Sequence, residues 1–366
     1  MAQYEELSTL TVSEFVKVLT NSYTQMVKSK RPFKEFPATM LWGQPGVGKS
    51  QGVYEIAEAL KATTHKSVQV CEVRLLLFNP IDLRGIPVAN EDKTLAVWLK
   101  PKIFQMDESS QTINILFLDE ISSAPASVQA AAYQLVLDRA VGEHKLPDNC
   151  LIIAAGNRTT DKSVAYKMPK ALANRFLHIN VESNFKDWKA WAITHGINSK
   201  IIGFLNFCPK LLNTFDDSDQ IAFATPRTWE MASHILDNSD SLNEAFPLIC
   251  GLVGSGAAYE FNTWCKVYKD LPDYQDIRKG KEHKVPTNAS TLYALSAMMV
   301  ENMHKDKTDS LALSYAIDYV NLLPPDYSTM IFKDLMLFEE EFKEVLMQNP
   351  AFSNWLRTKG RLLNGQ

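Results

Sequence analysis

A glycine-rich segment, GQPGVGKSQ, follows directly on the apolar run ATMLW that starts at Ala38. Gly43, Gly48, Lys49 and Ser50 match the pattern G-x-x-x-x-G-K-[ST] between a predicted strand and a predicted helix. Such glycines let backbone N–H groups at a helix N-terminus surround a phosphate, because no Cβ blocks the approach and positive φ is permitted. The segment predicts a nucleotide site in which Lys49 reaches the β- and γ-phosphates and Ser50 ligates Mg²⁺. An ordinary glycine-rich turn is the alternative.

Two acids, Asp119 and Glu120, end a second apolar run, INILFLDE. Ligands of open α/β sheets bind at the carboxyl ends of the strands, so Asp119 is predicted to hold the Mg²⁺ shell and Glu120 to polarise an attacking water. Acids also end strands simply to meet solvent, but the phosphate loop upstream favours the catalytic interpretation. The predicted nucleotide contacts are Gly43, Pro45, Gly46, Val47, Gly48, Lys49, Ser50 and Gln51, and the predicted metal ligands are Ser50 and Asp119.

The elements that must position these residues are five short apolar runs separated mostly by segments of helical spacing. The runs are ATMLWG, SVQVCEVRLL, INILFLDE, CLIIAAGN and FLHINVE. Near-continuous apolar strands alternating with helices predict a five-stranded parallel sheet covered on both faces, the doubly wound α/β class. Residues 9–28 have helical spacing, with Thr11 or Ser13 as N-cap. After about residue 185 only helical patterns follow.

Composition excludes several classes of protein. The chain has 366 residues, 46% hydrophobic, and a net charge of −4, typical of a soluble globular protein with two or three domains. This charge balance disfavours a nucleic-acid or anionic-membrane footprint. Five cysteines without CxxC spacing, no secretory signal and no convincing membrane span indicate a cytoplasmic protein. The seven histidines form no HxxxH or cysteine-rich metal pattern, so Mg²⁺ is the metal inferred.

The order of the motifs resembles that of the AAA+ ATPases, and specifically the MoxR branch with its dynein-related ATPase domain. The motifs are GQPGVGKS, ILFLDE, the AAGNR that contains Asn157, the LANRF of residues 172–176 and the TPRTWE of residues 225–230. NPIDLRGIPV followed by VWLKPKIF is also similar to that branch. The resemblance covers about residues 38–230. It implies a P-loop AAA+ core, an all-α lid and a C-terminal helical region.

The resemblance also implies roles for four polar residues. Asn157 matches sensor 1, which orients water near the γ-phosphate, and Glu120 matches the catalytic acid. Arg175 matches the arginine finger, which acts on the nucleotide of the neighbouring subunit, with Arg158 as a less favoured alternative. Arg227 matches sensor 2, which the lid donates to the γ-phosphate. Each of these residues also has a plain structural interpretation. Asn157 would end a strand in a turn, Arg175 would form a surface salt bridge, and Arg227 would lie at a helix N-terminus.

Two insertions are similar to devices that act on a partner. NPIDLRGIPVANEDKTLAVWLKPKIF resembles the helix-2 insert and pore-facing loop of this branch, and RAVGEHKLPDN resembles the hairpin before sensor 1. Surface loops are the alternative interpretation of both, and individual residues such as Trp98 or His144 receive no role.

These inferences divide the chain into residues 1–184, the α/β core with an N-terminal helix, residues 185–270, the helical lid, and residues 271–366, a C-terminal helical region. The predicted function is Mg²⁺-dependent ATP hydrolysis by a homo-oligomeric ring, expected to be a hexamer. It remodels or activates a protein partner, and a von Willebrand factor A domain protein is the partner that the resemblance favours. The alternatives are a nucleotide-gated binding module that regulates a partner without continuous turnover, and a nucleic-acid remodelling ATPase, which no basic aromatic patch supports.

Overall fold

The structure, a computed structural model, describes residues 6–161, 165, 166, 168–215, 220–282 and 284–360. The chain divides into two compact units, Met1–Ser183 and Asn184–Gln366. The first is an α/β unit and the second is helical. Among the described residues, every helix is too short or too polar to span a lipid bilayer.

The first unit is built around a parallel sheet. In chain order its strands and those of two small hairpins are β1 (Thr9–Thr11), β2 (Ala38–Trp42), β3 (Ser67–Arg74), β4 (Ile86–Ala89), β5 (Ala96–Leu99), β6 (Thr112–Asp119), β7 (Ala140–Val141), β8 (His144–Lys145), β9 (Cys150–Gly156) and β10 (Phe176–Glu182). The six-stranded sheet has the order β1-β10-β2-β9-β6-β3, with every pair parallel. The hairpins β4–β5 and β7–β8 are antiparallel.

The sheet confirms the doubly wound parallel class and corrects the predicted strand number. All five predicted strands are present, and β1 is a sixth, paired with β10 through Thr9 and Asn180. Its three residues, Thr-Leu-Thr, are too few to show a strand pattern, so the sequence interpretation assigned them to the following helix. Thr11 is nevertheless the N-cap expected there, because its side chain accepts from Glu14 N–H in a capping box.

Helices cover both faces of this sheet. Those of the first unit are α1 (Val12–Lys28), α2 (Lys49–Thr64), α3 (Pro80–Arg84), α4 (Ala126–Leu137) and α5 (Lys170–Ala173). On one face α1 and α2 bury side chains such as Phe15, Tyr23 and Leu60 against the sheet. On the other face α4 and α5 pack through residues such as Leu135 and Leu172. Burial on both faces explains why β2, β6 and β9 are almost uniformly apolar.

The second unit is formed by helices around one aromatic-rich core. The helices are α6 (Phe185–Thr194), α7 (Ser199–Phe207), α8 (Pro226–Asp237), α9 (Leu242–Val253), α10 (Ser255–Cys265), α11 (Tyr274–Ile277), α12 (Ala289–Lys305), α13 (Ser310–Leu322), α14 (Pro325–Leu335), α15 (Glu340–Gln348) and α16 (Pro350–Lys359). The core includes Trp188 and Trp229 as well as Phe332 and Trp355, so it contains residues from both sides of residue 270. The division into lid and terminal region at residue 270 stays a prediction.

Candidate nucleotide site

The phosphate loop connects β2 to α2. Gly48 is the N-cap of α2 and has φ +102°, a left-handed conformation that disfavours a side chain. A Cβ on Gly43 would lie 2.6 Å from the Val181 carbonyl oxygen, so the backbone passes too close to β10 for any larger residue. No side chain caps α2, whose first-turn N–H groups therefore form the kind of helix N-terminus that binds anions.

Lys49 is the buried cation of this loop. Its Nζ donates to the carbonyl oxygens of Gly43, at 2.6 Å, and Gln44, at 2.9 Å. It also donates to Oδ1 of Asn157, at 3.2 Å. The first two bonds hold the ammonium inside the loop, and the third joins two residues that the sequence analysis placed at one phosphate.

Ser50 and Asp119 form the second contact of the site. Ser50 Oγ donates to Asp119 Oδ2 at 3.1 Å, and Asp119 Oδ1 accepts from the Glu120 N–H at 2.9 Å. A hydroxyl and a carboxylate oxygen are the donors that Mg²⁺ prefers, and this ion keeps several waters and phosphate oxygens as further ligands. No group of three or more His, Cys, Asp or Glu suited to a metal occurs in the described ranges. The donor set fits Mg²⁺ bound together with a nucleotide.

Glu120 is held in an unusual backbone conformation directly after β6. Its φ is +56°, which costs about 1–3 kcal/mol for a residue with a side chain. The next residue, Ile121, donates its N–H to the Ala155 carbonyl at 3.1 Å and fixes the turn against β9. The half-buried Glu120 carboxylate makes no hydrogen bond or ion pair with any described residue. It is therefore available to a ligand or a water.

Asn157 follows β9, which lies between β2 and β6 in the sheet. Its backbone N–H donates to Ser122 Oγ at 2.8 Å, and its side chain accepts from Lys49. The carboxyl ends of three adjacent strands thus bring together the loop lysine, the acid pair and this amide. Ser122 was missed by the sequence analysis, since a serine two residues after an acid pair has no distinguishing signal.

The two arginines considered as fingers have different environments. Arg158 donates from Nε to Asp161 Oδ1 at 3.0 Å and from Nη1 to Asn180 Oδ1 at 3.2 Å, and only 16% of its side chain is exposed. Arg175 is exposed in the turn between α5 and β10, and its side chain makes no hydrogen bond or ion pair with the described residues. Of the two, Arg175 alone is free to reach another molecule.

Arg227 lies in the second unit, in the first turn of α8. The helix starts with Thr225 as N-cap in a capping box with Thr228, followed by Pro226. Arg227 is exposed. Its predicted role toward a γ-phosphate stays a prediction.

The two insertions contact each other. A Cβ on Gly142, in the β7–β8 turn, would lie 2.6 Å from the Arg84 carbonyl oxygen, and His144 Nε2 lies 2.8 Å from the Trp98 carbonyl oxygen.

One face of the β4–β5 hairpin is aliphatic and solvent-exposed. Its cross-strand pairs are Ile86 with Leu99 and Val88 with Val97. A cavity of about 440 Å³ lies beside this face.

A charged cluster lies at the end of β3, beside the acid pair. Arg74 is the register partner of Asp119, and its Nε lies 2.7 Å from Glu72 Oε1. Tyr54 of α2 donates to Glu72 Oε2 at 2.5 Å, and this hydrogen bond raises the pKa of Tyr54 to about 12. The same hydrogen bonds lower the pKa of Glu72 against the effect of its burial. Arg74 is a second residue that the sequence analysis did not select.

Comparison with known families gives one match, to the family described as "ATPase family associated with various cellular activities (AAA)". Residues 38–178 match this AAA family. The AAA match starts at β2, includes the phosphate loop, the acid pair, Asn157 and Arg175, and ends within β10. It supports nucleotide binding and ATPase activity in general terms, while the MoxR branch is a finer assignment.

Three solved structures that are similar to this chain share 13–14% sequence identity with it. NtrX from Brucella abortus is 13% identical over 94% of this chain and 67% of that chain, with a TM-score of 0.36. A mutant of RuvB from Thermotoga maritima is 13% identical over 97% and 92%, with a TM-score of 0.35. PCH-2 from C. elegans is 14% identical over 74% and 71%, with a TM-score of 0.33. No curated protein matches the chain.

Proposed function

We propose that this chain is a Mg²⁺-dependent ATPase of the MoxR branch of AAA+ proteins, acting as a homo-oligomeric ring, a hexamer, that remodels or activates a protein partner. One observation carries the ATPase part. The hydrogen bonds from Lys49 to Asn157 and from Ser50 to Asp119 join the phosphate loop to polar residues at the carboxyl ends of the adjacent strands β9 and β6. A Mg²⁺-dependent P-loop ATPase needs this constellation, and a plain glycine-rich turn does not.

Each residue then has a defined task toward ATP. Lys49 exchanges its loop carbonyl partners for β- and γ-phosphate oxygens, because an ammonium binds phosphate more strongly than a neutral carbonyl. Ser50 and Asp119 would hold Mg²⁺, which supplies positive charge to the phosphates. Glu120 orients the attacking water and accepts its proton, and Asn157 fixes that water on the other side. Gly43, Gly46 and Gly48 let the backbone approach the phosphates.

The exposed position of Arg175 supports the proposed ring. An exposed cation that makes no hydrogen bond or ion pair with the described residues of its own subunit, in a chain with an AAA match, is suited to stabilise charge at a neighbour's nucleotide. We assign Arg227 as sensor 2 on the position it holds in the TPRTWE motif. The role of Arg175 requires assembly, because the nucleotide on which it is proposed to act belongs to another subunit.

The partner is proposed to be a protein. The aliphatic face of the β4–β5 hairpin, where Ile86 is 62% and Leu99 is 56% exposed, supports contact with an apolar protein surface. Among protein partners we favour a von Willebrand factor A domain protein, because the NPIDLRGIPV insert resembles the MoxR branch. Five free cysteines support the cytoplasm as the proposed compartment.

The ring is tested by measuring ATP turnover per chain against protein concentration, with mass determined by light scattering. We expect turnover to rise as the oligomer forms, because each site needs the Arg175 of a neighbour. Constant turnover from a monomer would contradict the ring. The partner is tested by trapping the ring with Glu120→Gln in ATP and adding purified von Willebrand factor A domain candidates, for which retention only in ATP is expected.

A further inference from the structure

The imidazole of His178 joins two elements of the first unit. Trp42 Nε1–H donates to His178 Nδ1 at 2.9 Å, and His178 Nε2 lies 2.8 Å from the Ala173 carbonyl oxygen. Both bonds are satisfied together only by a neutral ring with its proton on Nε2. The Trp42 and His178 rings are nearly parallel, with an interplanar angle of 18° and centroids 6.1 Å apart, as expected for two rings joined edge to edge by an in-plane hydrogen bond.

Each end of this connection belongs to a part of the proposed machinery. Trp42 is the last residue of β2 and precedes Gly43, whose carbonyl accepts from Lys49. Ala173 is the last residue of α5, and Arg175 follows two residues later with its N–H bonded to the Leu172 carbonyl. The Arg175 turn therefore continues directly from α5, whose last carbonyl the His178 ring holds.

The sheet explains why the two rings meet. β2 and β10 are adjacent and parallel, with Met40 opposite His178 and Trp42 opposite Asn180. Trp42 and His178 are diagonal neighbours on one face of the sheet, a separation that large side chains span. Trp42 is only 5% exposed, so it is a rigid donor.

We propose that Trp42 and His178 are positioning residues that hold the Arg175 turn against the strand carrying the phosphate loop. The placement of the finger that a subunit offers to its neighbour then depends on the strand that carries its own phosphate loop. This inference rests on the proposed function, since it takes Arg175 as a finger acting between subunits. Neither ring touches the reacting atoms.

Loss of the indole N–H is expected to act on the neighbouring subunit's turnover. Trp42→Phe removes the donor and keeps an aromatic ring, so we expect kcat to fall about three- to ten-fold, the effect of one hydrogen bond. ATP affinity should stay within about two-fold of the wild-type value. The matched control is Trp191→Phe, because the Trp191 indole N–H has no hydrogen-bond partner among the described residues.

Mixing subunits separates this effect from damage to the subunit's own site. Trp42→Phe subunits are mixed with excess Glu120→Gln subunits, which have an impaired site of their own but an intact Arg175 turn. Turnover per Trp42→Phe subunit is expected to recover toward the wild-type value, because its site now meets a well-placed finger. Absence of recovery would overturn the positioning role.

A parallel mixture distinguishes this inference from the proposed function. Arg175→Ala subunits mixed with Glu120→Gln subunits should also recover, since Arg175 acts in trans. Recovery with Arg175→Ala but not with Trp42→Phe contradicts only the positioning inference. Failure in both mixtures contradicts the trans-acting finger and the inference with it.

A second pair of variants keeps the test independent of one substitution. His178→Phe removes both hydrogen bonds and should reproduce the loss and the recovery of Trp42→Phe. His178→Gln retains a side-chain donor and an acceptor, and should keep more of the turnover than His178→Phe. Equal turnover in these two variants and the wild type would overturn the role of the hydrogen bonds.

Discussion

The two compact units use their polar side chains in different ways. In the first unit Lys49 bonds to Asn157 and Ser50 bonds to Asp119 at the carboxyl ends of adjacent strands, and all but Lys49 are half-buried. In the second unit Lys189 of α6 and Asp334 of α14 form a 2.6 Å ion pair with side chains only 11% and 13% exposed. The first arrangement can exchange partners with a ligand, whereas the second is closed and holds helices together.

The same contrast occurs within the first unit, between Arg158 and Arg175. Arg158 is closed into a pair with Asp161, of which 3% is exposed. Arg175 is open to solvent. A cation near the ligand site that is exposed or bonded only to neutral groups is thus a candidate for function, whereas one closed into a buried ion pair is a candidate for a structural role.

The largest effect on turnover is expected from substitution of Arg175, with Arg158 as the comparison. Arg175→Ala should lower kcat about 10³-fold or more, the scale of an arginine finger, with an unchanged Tm. Arg158→Ala should instead lower the free energy of unfolding by about 3 kcal/mol, because Asp161 loses its buried partner. Steady-state kinetics and thermal unfolding of both variants check this, and the reverse pattern would show that Arg158 is the finger.

The buried ion pair between Lys189 and Asp334 is tested by Lys189→Met. Burial raises the pKa of Asp334 and Lys189 lowers it, so removing the cation leaves an unpaired buried carboxylate. We expect a loss of about 3 kcal/mol in the free energy of unfolding at pH 7. A carboxyl whose folded-state pKa is raised stabilises the fold below that pKa, so part of the loss should return as the pH falls.

Lys333→Met is the matched control for Lys189→Met, since Lys333 is an exposed lysine on α14, the helix that carries Asp334. Chemical denaturation at pH 7 and pH 5 measures both variants. A loss equal to that of the control, or one that grows at lower pH, would contradict a closed ion pair.

Lys49 is proposed to exchange its loop carbonyl partners for phosphate oxygens. We therefore expect its substitution to lower the affinity for ATP without a comparable loss in the free energy of unfolding. Lys49→Met should weaken ATP binding about 100-fold, since one or two charge-assisted hydrogen bonds to phosphate are removed. The exposed Lys61 lies on the same helix, and Lys61→Met is the control. Calorimetric titration with ATP measures both. Equal affinities would show that Lys49 is a structural residue.

The smallest effect is expected at an exposed cluster of the second unit. The hydrogen bond from Lys307 lowers the pKa of Glu339 to about 2, so this contact stabilises the fold above pH 4.5 and is lost as the pH falls toward 2. Exposure screens it, and Glu339→Gln should lower Tm only slightly at pH 7 and not at pH 2. Glu344→Gln, at an exposed acid of the helix that begins after Glu339, is the control. A Tm difference that persists at pH 2 would contradict this assignment.

Much of the first unit could be predicted from the sequence because its signals are local. Apolar strands buried on both faces produce continuous runs, and the glycines around Lys49 have few other uses. The strand β1 escaped prediction, because a three-residue edge strand depends on pairing with β10, far along the chain. The single core of the second unit was equally hidden, since helical spacing shows that a face is buried but not which helix covers it.

Within the site, residue types could be predicted but most pairings could not. Lys49 and Asn157 are 108 positions apart, and Trp42 and His178 are 136 apart, so only the sheet order brings them together. The choice between Arg158 and Arg175 was favoured by a resemblance and not by the residues themselves. Their different burial, visible only in the fold, gives that choice a physical basis.

The central claim is that the polar residues at the carboxyl ends of β2, β6 and β9 hydrolyse ATP as well as binding it. The most direct measurement is ATP affinity and Mg²⁺-dependent turnover of the wild type and Glu120→Gln. We predict an affinity within a few-fold of the wild-type value and turnover at least about 100-fold lower, since the water loses the carboxylate that accepts its proton. Turnover unchanged by Glu120→Gln, or none in the wild-type protein, would contradict the assignment.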